Sequence, residues 1–82
     1  MSHEQQTQKL VYMANQIAIF FASRPEQEAI GEIANHLRKF WEPRMREKII
    51  DFAAHGGAGL MPRAEEAVKM LSQSTTSQST TS

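Results

Sequence analysis

The side chains best suited to holding a metal or moving protons are three histidines, His3, His36 and His55. Helical metal sites place such ligands one turn apart, as in His-Glu-x-x-His, so that both face one ion. No such spacing occurs here. His3 lies in a polar stretch, His36 within a helical pattern, and His55 near a helix C-terminus, where partial positive charge is favourable. The chain contains no cysteine. That removes iron–sulfur ligation, thiolate nucleophiles and Cys-based zinc sites, because each needs the thiolate itself. No redox chemistry is expected within the chain.

The segment AAHGGAG, residues 53–59, invites comparison with phosphate-binding loops. Such loops follow a strand and end in Gly-Lys-Ser/Thr, whereas this one follows a helical pattern and lacks that ending. Gly56, Gly57 and Gly59 instead suit a left-handed helix cap and turn, where glycine has no side chain to clash. Catalysis would also need a water-excluding pocket, which a domain of three or four short helices rarely encloses. Catalytic, cofactor-binding and metal-binding residues are therefore all read as none, and the chain as no enzyme by itself.

The segment RKFWEPRMREK, from Arg38 to Lys48, has a different character. It sets Phe40, Trp41 and Met45 among five basic residues and two acids. Trp, Met and Arg are enriched at the centres of protein interfaces, because each gives a large contact area and guanidinium adds forked hydrogen bonds. The candidate partner-binding residues are Phe40, Trp41, Pro43, Arg44, Met45 and Arg46, with Trp41, Arg44 and Arg46 as anchors. The plainer alternative is that an aromatic finishes the core stripe of a helix and the charges form a solvated rim. Two successive aromatics cannot easily both point inward, so one ring is expected in the core and the other at its edge.

Helices must position these groups. From Lys9 to Ser23, Leu10, Met13, Ala14, Ile17, Phe20 and Phe21 recur at steps of three and four, the helical period. Pro25 can open a second helix at its first turn, with Glu26 and Glu28 suiting that end. This helix runs to about Phe40 with Ala29, Ile30, Ile33, Ala34 and Leu37 on one stripe. Gly31 within it marks either a tight helix crossing or simple tolerance. Pro43 begins a third helix carrying Met45, Ile49, Phe52 and Ala53 and ending near His55. Pro62 opens a short fourth, with Leu60, Ala64, Ala67, Val68 and Leu71 in period.

Residues 1–8 form a polar leader, and residues 72–82, SQSTTSQSTTS, offer no apolar side chain to offset the entropy of ordering. The expected fold is all-α: a small bundle of three to four short helices over residues 9–71, with a disordered polar C-terminal tail. On the first helix, Val11 with Ala18 and Tyr12 with Ile19 stack at seven-residue spacing beyond the main stripe. That surplus implies either a face for a partner or a central place in the bundle.

At 82 residues the chain is one domain at most, and its own core gives marginal stability. Nine basic residues balance nine acidic ones, so no global field concentrates nucleic acid or anionic lipid. A small helical nucleic-acid binder built on the Arg38 to Lys48 segment is accordingly the weakest reading. There is no signal-peptide pattern, and no apolar run approaches the roughly 18 residues of a membrane span. A cytoplasmic location is expected.

Three segments carry a family likeness: VYMANQIAIFF, then IANHLRKFWEPRMREKI, then AAHGGAGLMP. In this order they resemble the delta subunit of bacterial molybdenum-containing, NAD-dependent formate dehydrogenases, with Phe40 to Arg46 as the most specific part. The likeness covers about Lys9 to Leu71. It implies a cofactor-free subunit of an enzyme that oxidises formate to carbon dioxide while reducing NAD. The bis-molybdopterin guanine dinucleotide, iron–sulfur clusters and flavin mononucleotide (FMN) would sit on other subunits, and the molybdenum-bearing large subunit would be the partner. Stabilising the complex is the first role implied, and maturation of the large subunit, with Arg44 and Arg46 near pterin phosphates, is the second. The resemblance transfers an expectation that Trp41, Pro43, Arg44 and Arg46 matter. It carries no function onto the leader or the tail.

Overall fold

In a computed structural model of the chain, the structure describes the backbone of residues 2–81 and the side chains of residues 6–73. Four helices follow one another: α1 (Ser2–Phe20), α2 (Glu26–Phe40), α3 (Pro43–Ala54) and α4 (Pro62–Thr81). Among the described residues there is no strand, so the all-α bundle expected from the periodicity is the fold.

Proline sets two of the helix starts directly, since Pro43 and Pro62 are the first residues of α3 and α4. At that position the missing N–H costs nothing and the fixed φ already fits the helix. Pro25 instead precedes α2, which has Glu26 and Glu28 in its first turn and Arg38 and Lys39 in its last. That order complements the helix dipole at both ends. At the end of α3, the Gly56 N–H donates to the Ala53 carbonyl (3.2 Å) and the Gly57 N–H to the Phe52 carbonyl (3.0 Å). Both glycines have positive φ, 113° and 59°. This paired bonding satisfies the last carbonyls of the helix in the Schellman arrangement.

Three boundaries differ from the sequence expectation. The backbone of α1 is helical from Ser2, before Lys9, and regular helix stops at Phe20 rather than Ser23. There the bonding tightens, with the Ala22 N–H donating to the Ile19 carbonyl at 3.1 Å and the Arg24 N–H to that of Phe21 at 3.1 Å. Shortened i to i+3 bonds of this kind commonly close a helix before a proline. The backbone of α4 continues to Thr81, past the expected end at Leu71. Among the described side chains Leu71 is the last buried one. The expected disorder of residues 72–82 falls mostly on side chains outside the described residues.

The core draws on every helix. Ile33 and Leu37 of α2, Ile49 of α3 and Val68 of α4 are its largest fully buried side chains. Leu10, Val11, Ala14 and Ala18 of α1 join them. Helix α4 touches the other three and packs most extensively on α2. Ala29 and Ala34 of α2 and Ala64 and Ala67 of α4 are all buried, and small side chains at a contact allow helix axes to come close. Gly31 plays no part in such an approach: a Cβ built there meets nothing within 4 Å. Of the two readings for Gly31, simple tolerance is the one that fits.

Candidate partner-binding surface

The paired aromatics at the end of α2 part company. Trp41 lies four residues beyond Leu37 on the buried stripe, and its N–H donates to the Leu37 carbonyl at 3.0 Å. Its backbone turns extended, φ −90° and ψ 140°, which ends the helix. The indole is 5% exposed and belongs to the core, whereas Phe40 is 70% exposed. The expectation of one ring inside and one at the edge therefore holds. The structure puts the interface candidate Trp41 on the inside. Phe40 packs beside the His36 ring, with centroids 4.7 Å apart.

Arg46 is turned toward its own fold. Its guanidinium donates to the Arg38 carbonyl at 3.1 Å and to the Trp41 carbonyl. These acceptors lie at the C-terminal end of α2, where carbonyls lack helical partners. Arg46 thus clasps the turn between α2 and α3. Arg44 is exposed, Met45 half-buried against the core, and Pro43 exposed at the start of α3. The six candidates accordingly do not form one patch: Trp41 and Arg46 face inward while Phe40, Pro43 and Arg44 face outward.

The surplus apolar face on α1 divides in a similar way. Val11 and Ala18 are buried within the bundle, but Tyr12, Ile19 and Phe20 are 64%, 52% and 78% exposed. Tyr12 and Ile19 share a face at seven-residue spacing. Large apolar side chains clustered on one element, rather than scattered singly, mark a surface prepared for contact.

Between α1 and α3 a groove of about 450 Å³ is lined by Leu10, Met13 and Met45 below and Lys9, Arg44 and Lys48 around the edge. Gln6 completes it and accepts a hydrogen bond from the Lys48 ammonium. Among the described residues no group of three or more His, Cys, Asp or Glu could hold a metal ion. Nor is any helix long and apolar enough to cross a membrane.

Two residues that fasten the surface were not singled out from the sequence. Asn15 on α1 donates from Nδ2 to the Gly59 carbonyl (2.9 Å) and accepts from the Met61 N–H (2.8 Å). Arg63 donates to the carbonyls of Ala22 (3.3 Å) and Arg24 (3.1 Å). Arg63 did carry a signal: a cation in the first turn of α4 opposes that helix's own dipole, which points to a use elsewhere. Asn15 carried a weaker one, as a polar residue inside an apolar helical stretch.

No curated protein and no solved structure matches the chain. The family model described as NADH-dependent formate dehydrogenase delta subunit, FdsD, matches residues 9–68, which takes in α2, α3, the glycine turn and most of α1. On that match the chain belongs to the FdsD family of formate dehydrogenase delta subunits.

Proposed function

We propose that this delta subunit is a non-catalytic accessory subunit of an NAD-dependent formate dehydrogenase, and that it binds the molybdenum-bearing large subunit and stabilises the assembled enzyme. In this reading formate oxidation and NAD reduction occur on other subunits, which carry the bis-molybdopterin guanine dinucleotide, the iron–sulfur clusters and FMN. The complex works in the cytoplasm.

The observation that carries the proposal is the outer face of α1. Tyr12, Ile19 and Phe20 stay in water although the chain has a complete core beneath them. Burying three such side chains would contribute on the order of 1.5–3 kcal/mol each from removed apolar area, before the cost of association. A small domain that keeps such side chains exposed is more readily explained by a partner than by its own stability.

The test compares formate dehydrogenase purified from cells with and without this chain. The expected result is an enzyme that retains its molybdenum cofactor but dissociates or loses activity faster on heating, and recovers when purified chain is added back. Equal assembly and equal thermal inactivation would overturn the proposal. A cofactor-free large subunit, unchanged by add-back, would replace it with the maturation role.

A further inference from the structure

We infer that the groove between α1 and α3 seats an acidic segment of another formate dehydrogenase subunit, one that places an apolar side chain on the groove floor and carboxylates against Lys9, Arg44 and Lys48. This inference rests on the proposed role as a bound subunit and adds the chemistry of the contact.

Charge distribution is the first ground. The chain is neutral overall, with nine cations and nine acids, yet three of those cations meet at one groove and, among the described residues, no carboxylate lines it. The side chains of Lys9 and Arg44 make no hydrogen bond or ion pair among the described residues. The Lys48 ammonium donates to the neutral amide of Gln6 and makes no ion pair among the described residues, although on its other side it lines a second groove with Asp51. A separate groove of about 440 Å³ beside α3 shows the contrast: it carries Glu47 and Asp51 alongside Arg46, and that arginine is engaged with backbone carbonyls. Like charges gathered without a counter-charge repel one another, and an anionic partner relieves that repulsion.

The floor supplies the second ground. Leu10 is buried, while Met13 and Met45 are partly buried against the core and still line the groove. Unbranched thioethers adapt their shape to an incoming apolar group. A purely ionic ligand would leave this floor unused. Met13 and the exposed Phe20 are seven residues apart on α1, hence on one face. An occupant of the groove could therefore continue along α1 to the apolar residues already described.

The occupant is a protein segment rather than nucleic acid or lipid, because three cations in a neutral molecule give no long-range attraction for a polyanion. What they give is local complementarity, which sets specificity and salt dependence at an interface.

The experiment measures binding of the purified full-length chain to formate dehydrogenase prepared without it, at low and high sodium chloride. A double variant, Lys9→Glu with Arg44→Glu, is compared with a matched one, Lys39→Glu with Lys69→Glu, which makes the same charge change outside the groove. Lys48 is kept because it holds Gln6. The expected result is an affinity loss of about tenfold or more for the groove variant, with a flatter salt dependence, and less than about twofold for the matched one. Circular dichroism checks folding; if the groove variant is unfolded, Lys9→Gln with Arg44→Gln replaces it, with the same direction of effect expected. Wild-type binding with equal affinities for all variants would overturn the groove while leaving the accessory role intact. Failure of the wild type to bind would instead remove the accessory role on which the groove depends. Charge-dependent binding to phosphatidylglycerol vesicles, with enzyme binding unaffected by the variants, would overturn the protein occupant in favour of lipid.

Discussion

Asn15 and Met61 are 46 positions apart in sequence, yet the Asn15 side-chain oxygen accepts the Met61 N–H at 2.8 Å while its nitrogen donates to the Gly59 carbonyl at 2.9 Å. One amide thereby uses both of its ends to pin the loop before α4 onto the middle of α1. No other residue type of that size carries a donor and an acceptor in this fork. Asn15→Ala should lose both bonds and lower stability by about 1–2 kcal/mol, the usual net worth of two such bonds in a partly exposed setting. Asn15→Asp should retain the Met61 bond but set a carboxylate against the Gly59 carbonyl, and so recover at most part of the loss. Urea unfolding of the three proteins, compared at equal m-value, checks the order.

Phe40 and Trp41 should respond in opposite ways to truncation. Trp41→Ala removes a ring that is 5% exposed, and deletions of buried aromatics cost about 3–5 kcal/mol. For a domain this small that is a large share of total stability, so substantial unfolding is expected by circular dichroism. Phe40→Ala should leave unfolding within about 0.5 kcal/mol of wild type, as surface substitutions usually do. It should nonetheless weaken binding to the delta-free enzyme by about 1 kcal/mol or more if its ring is an interface anchor. Wild-type affinity in the Phe40→Ala protein would remove that ring from the contact surface.

This pair also shows where sequence reading stops. The steps Ile33, Leu37, Trp41 continue one stripe, and that much is visible in the spacing, as are the helix starts at Pro43 and Pro62. Whether Phe40 or Trp41 turns inward depends on where the helix ends, because Trp41 follows the stripe only while its N–H still bonds the Leu37 carbonyl. Arg46 shows a second limit. Its composition and neighbours suit an interface, yet its guanidinium reaches back to the Arg38 and Trp41 carbonyls. A periodic pattern records which face a residue occupies, whereas the use of a long polar side chain is decided by carbonyls that only the folded turn presents. The Asn15 and Arg63 bonds span some 40 positions, and periodicity within a single helix carries no information about them.

Arg46→Met should test that inward use. The variant keeps much of the stem's contact area but leaves the Arg38 and Trp41 carbonyls without the guanidinium. Both acceptors remain near solvent, so the expected loss is about 1 kcal/mol rather than the larger penalty of a sealed, unpaired group. Faster amide exchange at the α2–α3 turn, with the α1 amides unchanged, would be the accompanying local signature. An Arg46→Met protein of unchanged stability but reduced affinity for the delta-free enzyme would return this residue to the interface.

The two kinds of glycine in this chain should give changes of opposite sign. Gly31 sits inside α2 with nothing within 4 Å of a built Cβ, so Gly31→Ala should stabilise the domain by about 0.5–1 kcal/mol through lower backbone entropy in the unfolded chain. Gly59 has a φ of +90°, and a Cβ there would meet Val11 Cγ1 at an ordinary 3.7 Å. Space is therefore not its constraint. The backbone is, because an L-residue at that φ carries strain of about 1–3 kcal/mol. Gly59→Ala should be destabilised by that amount, and the Asn15 bond to the Gly59 carbonyl should weaken with it if the loop relaxes. Thermal unfolding of both variants provides the check: a rise in Tm for Gly31→Ala and a fall for Gly59→Ala are expected, and a fall for Gly31→Ala would overturn the reading of that position as open space within a regular helix.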